Sequence, residues 1–364
     1  MRRRDVLIGG GALVAVATGA TALVVDQVSS TSDYDAAIAH SRAPLPVQAE
    51  TRDLLRYATL APNGHNTQPW LFRTRQGRIE ILTDFTRRTP VVDPDDHHLF
   101  VSLGCAAENL ALASAACGRP GAFAFDPTGN GTVAFDFVAG PSVATALFDA
   151  IPKRQSTRAE FDGQPVGIAD LRTLAAAGTM PGVDLVLLTD PPQLARVRDL
   201  VVAGNDRQMA DPAFIRELKS WLRFNPQQAA DNGDGLYSAA SGSPTLPGWL
   251  GPRAFDWFVT AKSESDKYAR QLRSSSGVAI FVGAREDREH WVKVGRACQR
   301  FALQATALGL KHAFVNQPVE VPHLRPELAG LIGLPGRRPD IVMRFGRGAD
   351  LPFSTRRPAR VVTD

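Results

Sequence analysis

Two segments of this chain echo each other, and a chain carrying two copies of one unit is constrained to fold around the interface between them. DPDDHHLFVSLGCAAENLALASAACG runs from Asp93 to Gly118, and DREHWVKVGRACQRFALQATALG from Asp287 to Gly309. Each opens on acidic residues, sets an aromatic (Phe100, Trp291) ahead of a glycine (Gly104, Gly295), and continues as an Ala/Leu-rich run at helical spacing. Each closes on a second glycine, Gly118 or Gly309, where a helix C-cap falls. Asp93 and Pro94 read as N-cap and first helical residue. Helices apolar on most faces belong at the centre of a fold.

A second echo flanks the first. Residues 51–84 read as a helix, a loop and a hairpin (RTRQGRIEILTD), and residues 168–190 as a helix, the shorter loop AGTMPG and the strand VDLVLLTD. Further strands are expected over 121–125, 133–137, 278–282 and 340–345. The class is therefore α+β, with central helices beside sheets. The boundaries are a leader over 1–28, a polar linker over 29–46, a first half over 47–150 and a second half over 151–364. An insertion around 210–262 begins as a helix (211–224) and turns into GDGLYSAASGSPTLPGWLGPR. Its aromatics favour a lid over a disordered insert.

MRRRDVLIGGGALVAVATGATALVV has the charged start and apolar run of an export signal of the twin-arginine kind, or else of a single membrane anchor. No later stretch reads as a membrane span. The net charge of +4 owes two units to Arg2, Arg3 and Arg4 set against Asp5. No basic run with interleaved aromatics is present, so nucleic acid is not an expected partner. Cys105, Cys117 and Cys298 sit in Ala/Leu-rich stretches as small buried thiols, with neither a disulfide framework nor a zinc set.

The chemistry sits in loops. APNGHNTQPW (61–70) packs Asn63, His65, Asn66, Thr67 and Gln68 between two prolines and a glycine, giving more hydrogen-bonding capacity than a turn requires. KRQSTRAEF gives Arg154, Ser156 and Arg158, and STRRPAR gives Arg356 and Arg357. Arginines four apart share a face of a helical turn, and with a serine between them they form a seat for phosphate or remain ordinary surface charge. Asp95, Asp96, His97 and His98 read as a solvated helix start, so no metal site is expected. Dinucleotide, P-loop, nucleophile-elbow and zincin motifs are all missing.

Taken together these pieces resemble the nitroreductase family of FMN enzymes. APNGHNTQPW is similar to that family's Asn-x-Gln-Pro-Trp loop, and KRQSTRAEF to its Arg-x-Ser-x-Arg-x-Phe signature. HAFVNQPVE and RRPDIVMRFGRG with Arg356 and Arg357 are similar to the segment near the flavin, the last core strand and the closing phosphate contacts. The likeness runs over about residues 45 to 362, and the fused arrangement most resembles the Acg-type branch. It implies an intrachain pseudo-dimer with central helices flanked by antiparallel-rich sheets, and hence a monomer. The first half has the loop but no arginine turn (Ser41-Arg42-Ala43-Pro44 stands there), and the second has the turn but no loop. One FMN site per chain is the consequence, and Arg42 is not expected to serve it.

The resemblance implies that Arg154, Ser156 and Arg357 hold the phosphate, with Arg356 as the alternative, and that Arg158 faces flavin N1. Pro62, Asn63, Gly64 and Asn66 would contact ribityl and ring, and Val315 and Asn316 would face N5 and O4. Gln68 and His65 contact ligand or brace the loop, and Trp70 belongs to the core. Tyr237, Trp249, Phe255 and Phe258 would form a substrate pocket under the lid. No catalytic side chain is named. The function implied is two-electron reduction of nitro or quinone-like compounds, with NAD(P)H or another donor. The alternatives are an exported flavin-holding protein without turnover, and a pseudoenzyme that binds no flavin.

Overall fold

RIEILT buries every second residue, WLFRTR buries Trp70 and Phe72 before its exposed end, and Gly77, at φ +71°, makes the tight turn that joins them into a hairpin. In the computed structural model, which describes residues 31–361, this hairpin is half of the first of two matching sheets. The leader expected over 1–28 lies outside the described residues.

The first half contains α1 (Ser32–Arg42), α2 (Thr51–Thr59), β1 (Trp70–Arg75), β2 (Arg78–Thr83), α3 (His97–Ala116), β3 (Gly121–Asp126), β4 (Thr132–Phe137) and α4 (Ala146–Ala150). Its sheet is antiparallel throughout, in the order β1-β2-β4-β3. The second half starts with α5 (Ile168–Gly178), β5 (Val183–Leu188) and α6 (Pro191–Met209). The insertion follows, with α7 (Pro212–Ser220), β6 (Leu222–Arg223), α8 (Pro226–Asn232), β7 (Leu236–Tyr237) and α9 (Gly251–Phe258). The second half ends in α10 (Ala261–Arg273), β8 (Gly277–Gly283), α11 (Arg288–Ala307), β9 (Lys311–Phe314), α12 (Gln317–Glu320), α13 (Arg325–Leu331) and β10 (Ile341–Gly346). Its sheet, β5-β8-β10-β9, is also antiparallel throughout.

The echoing helices α3 and α11 pack on each other, each backed by the sheet of its own half, so the layers run sheet, helix, helix, sheet. One apolar core threads all four, from Phe72, Ile81 and Phe135 through Leu103 and Phe301 to Phe281 and Phe345. By length and composition α3 would also serve as a membrane span, contrary to the sequence expectation. It is instead the buried centre of the molecule. Gly118 and Gly309, at φ +69° and +71°, follow the two helices in the left-handed conformation of a C-cap.

Three sequence expectations are corrected. Helix α3 begins at His97 rather than Pro94, because the chain turns at Asp96 (φ 59°), yet Asp93 still accepts from the amides of His98 and Leu99 at 3.0 and 2.9 Å. The linker reading of 29–46 fails at α1, where the Tyr34 hydroxyl donates to Phe353 O at 2.7 Å and its ring lies 5.1 Å from that of Tyr237. The Arg154–Arg158 stretch is not a helical turn. It runs extended beside β9, with the Thr157 amide donating to His312 O at 2.8 Å, and α5 begins only at Ile168.

Candidate functional site

A cavity of about 490 Å³ opens between the halves, in the size range of small-molecule sites. Its walls come from the 62–65 loop, the start of α3 (Asp93, His98, Ser102), Arg158, α6 (Asn205, Gln208), the 316–320 stretch and the insertion. Of the residues singled out in the sequence, Pro62, Asn63, Gly64, His65, Arg158, Asn316, Phe255 and Phe258 line it. Phe214, Leu218, Leu222 and Phe224 of the insertion complete the apolar wall, so the insertion does roof the cavity. Tyr237 and Trp249 do not line it. Tyr237 is buried in a satellite core with Tyr34, Ala229 and Ala240, and Trp249 points to solvent.

The hydrogen-bonding capacity of 61–70 is spent on the protein itself. Asn66 Nδ2 donates to Gly235 O and Thr355 O, both at 3.1 Å, and Gly235 N donates to Asn66 O at 3.2 Å. Gln68 Nε2 donates to Gly233 O at 2.8 Å, while its Oε1 accepts from the Arg357 amide at 2.9 Å. Asn63 Oδ1 accepts from Gln68 N at 2.8 Å and fixes the turn. Both Asn66 and Gln68 are buried, so they brace the insertion and the C-terminal segment rather than face the cavity. His65, Asn66 and Gln68 all have φ near +50°, a concentration of backbone strain in one loop. A Cβ on Gly64 would meet nothing within 4 Å, leaving bare backbone at the wall. The His65 imidazole has a buried Nδ1 without a partner, and burial, Arg158 and His98 push its pKa down to about 4.

Behind this wall lies a seam of arginines. Arg42, Arg154, Arg158, Arg344 and Arg356 have no carboxylate at ion-pair distance among the described residues. Burial lowers the pKa of each, and mutual repulsion adds to this for Arg42, Arg344 and Arg356. Arg154 and Arg356 both donate to Leu60 O, at 3.2 and 3.4 Å. Arg42 Nη1 donates to Arg154 O at 3.3 Å, and its guanidinium stacks 3.5 Å above Phe353. Arg344, fully buried on β10, holds the signature stretch through Thr157 O and Ala159 O at 3.1 and 2.7 Å. The Nε atoms of Arg42, Arg154, Arg344 and Arg357 are buried without partners among the described residues.

Arg158 alone of these reaches the cavity, and among the described residues its guanidinium makes no hydrogen bond or ion pair. Arg154 and Ser156 sit behind it, 3.5 Å apart at Nη1 and Oγ. Arg356 is saturated, with acceptors Thr59 O, Leu60 O, Ala61 O and Asn66 Oδ1 all within 3.4 Å, so it clamps the loop. Arg357 binds Gln68 O at 2.9 Å. Val315 is buried off the cavity, and Asn316 lines it while accepting from Val342 N at 2.9 Å. Planar cationic forks with unused N–H groups and no competing carboxylate suit a phosphate ester.

The opposite wall is acidic, and sequence reading missed it. The supposed solvated turn is pinned from behind by Asp340, at the foot of β10. His97 Nε2 lies 2.7 Å from Asp340 Oδ1, and His98 Nε2 lies 3.1 Å from Asp340 O. Burial raises the Asp340 pKa to about 6, while His97 is held neutral well below its usual value by burial and by His98. Glu320 lines the cavity beside them, accepting from Gln208 Nε2 at 2.7 Å, with burial raising its pKa. The one signal in the sequence was an acid and a histidine pair opening a helix otherwise apolar on most faces.

No family model matches the chain. A Mycobacterium tuberculosis protein named "Putative NAD(P)H nitroreductase" is 27% identical over 320 residues, covering 82% of this chain and 85% of the relative. The M. tuberculosis protein Acg, named in the same way, is 23% identical over 320 residues, covering 84% and 93%. Among solved structures, an FMN-bound nitroreductase of Bacteroides fragilis gives a TM-score of 0.36 at 16% identity, covering 57% of this chain and 90% of that one. An iodotyrosine deiodinase bound to FMN and 3-iodo-L-tyrosine gives 0.38 at 15%, covering 60% and 97%.

Proposed function

The chain is a nitroreductase-like protein related to Acg, and from that premise we propose that it is an FMN-dependent oxidoreductase acting on nitro or quinone-like compounds. The observation that carries the reading is the uncompensated arginine seam ending at Arg158 on the cavity wall. Buried guanidiniums without carboxylates are costly unless an anion joins them. A bound FMN supplies two-electron hydride chemistry, with NAD(P)H, the donor in the names of the relatives, as its reductant.

The residues of the chain divide the work of binding and excluding water. Arg154 and the neighbouring Arg42 would offer unused N–H groups and Ser156 its hydroxyl to the phosphate, and Arg158 sets a positive charge where negative charge would develop on reduction. The bare backbone at Pro62–Gly64 admits a planar ring against the wall. Phe214, Phe224 and Phe255 exclude water from the roof, the place for an apolar substrate, and the largely exposed Phe258 sits at its edge. Neutral His65 can donate or accept there without adding charge.

The test is an absorbance spectrum of the purified protein. A flavin spectrum at one FMN per chain, bleached by NADPH and restored by p-nitrobenzoate, is the expected result. Two flavins per chain would refute the single-site reading, and a colourless protein that ignores added FMN would refute the function. One observation favours a second reading, a flavin-holding protein without turnover: Asn66 and Gln68 tie the roof down to the loop. A yellow protein that neither NADPH nor NADH bleaches would decide for it. Export through the leader and a monomeric state stand as part of the same proposal, checked by fractionation and by light scattering.

A further inference from the structure

We propose that Glu320 is the proton donor of the cavity and that His98 reloads it, an inference that rests on the reductase reading above. The geometry sets the proton's position. Asp340 O can only accept, so His98 Nε2, 3.1 Å away, carries a hydrogen, and whenever that is the ring's only N–H, Nδ1 presents a bare lone pair. That lone pair faces Glu320 Oε1 at 3.8 Å. Glu320 Oε2 accepts from Gln208 Nε2 at 2.7 Å, which orients the carboxyl, and all three residues line the cavity. The other titratable groups facing the pair are Asp93 before α3, His97 in its first turn, His65, Asp340 and Tyr268; burial, with the charge of Asp93, favours the protonated carboxyl of Glu320, while His98 pulls the other way. Glu320 and His98 therefore share one proton, held on the acid when the imidazole is neutral.

Reduction of a nitro group to a nitroso group breaks one N–O bond, takes up two electrons and releases water. A flavin held here would supply both electrons and one hydrogen as hydride, so one proton would still be needed for the departing oxygen. Glu320 supplies it from its carboxyl and becomes a carboxylate. His98 Nδ1 then takes a proton from solvent as imidazolium and passes it back.

The inference is tested on the flavin-loaded protein, reduced with dithionite and mixed with p-nitrobenzoate or with ferricyanide, which takes electrons alone. Glu320→Gln is expected to slow oxidation by p-nitrobenzoate about a hundredfold while ferricyanide oxidation stays within about twofold. Equal slowing of both, or of neither, would overturn the donor role. An infrared difference spectrum supplies a readout independent of turnover: a protonated-carboxyl band at neutral pH, absent from Glu320→Gln. Superimposable spectra would overturn it too. Should that variant not fold, the unmodified protein decides, because the p-nitrobenzoate rate and the carboxyl band must vanish together as pH rises, and a band and a rate that part company refute the assignment. Protein that takes up no FMN defeats the reductase reading and the donor with it. Loaded protein that fails only these tests defeats the donor alone.

Discussion

Gly104 on α3 and Gly295 on α11 occupy the crossing of the two central helices, each filling the space where the other's side chain would stand. A Cβ at Gly104 would lie 2.0 Å from Val292 O and 3.0 Å from the Cα of Gly295, and one at Gly295 would lie 2.0 Å from Val101 O. These neighbours are backbone and cannot swing aside. Alanine ordinarily stabilises a helix over glycine by about 1 kcal/mol, so the crossing outweighs propensity at both positions. Gly104→Ala and Gly295→Ala are each expected to destabilise by about 3 kcal/mol, as overpacking of a rigid interface does. Chemical denaturation measures it, and a gain in stability would mean that the halves do not meet there.

The loop at 61–70 leads to the next expectation. Gln68 is fully buried and joins Gly233 O of the insertion to the Arg357 amide of the C-terminal segment. Gln68→Ala removes both bonds and leaves a partly buried carbonyl and a partly buried amide to find other partners, at a cost of about 1–2 kcal/mol. The loss should appear locally before it appears globally. Limited proteolysis is expected to cut first within 225–250 in the variant, and an unchanged digestion pattern would show that the roof is held by other contacts.

Much of this arrangement was legible in the sequence because it rests on local rules. The repeat gave both central helices through their glycines and apolar faces, and period-two patterning gave the hairpin and the buried strands. What was not legible depends on contacts between distant residues. Nothing local tells that Asn66 and Gln68 bond to Gly235 and Gly233, so a polar loop read as a ligand site spends its polarity on a roof. The arginines at 154 and 158 suggested a helical turn by spacing, but pairing with His312 drew them into extended backbone. The acidic wall stayed hidden because Asp340 and Glu320 reach His97 and His98 from more than two hundred residues away.

Arg42 is the sharpest departure from sequence reading, which gave it no part in the site. Its guanidinium lies against Arg154 O and Phe353, and its Nε has no partner. If an anion completes this cluster, Arg42→Ala should weaken FMN by about 1–3 kcal/mol, the worth of one charge-assisted bond. Riboflavin, which has no phosphate, should lose nothing. Quenching of flavin fluorescence compares the two ligands, and equal losses would place Arg42 in folding rather than in anion binding.

His65 sets the expected acid limit of the fold. Its ordinary pKa near 6.5 falls to about 4 in the folded chain, through burial and through the charges of Arg158 and His98. The unfolded chain therefore binds the proton first, and the stability that neutral His65 allows is complete above pH 6.5 and is lost as pH falls toward 4. Discounted for partial exposure, the loss is on the order of 2 kcal/mol. Asp340 runs the other way. Its raised pKa, about 6, means that the folded chain holds that proton more tightly, so its contribution falls as pH rises from 4 toward 6. The raw stability profile mixes the two, and only a difference separates them. The gap in unfolding free energy between the wild-type protein and His65→Gln is expected to change by that 2 kcal/mol between pH 6.5 and 4. A gap independent of pH would mean that His65 titrates as a solvated imidazole.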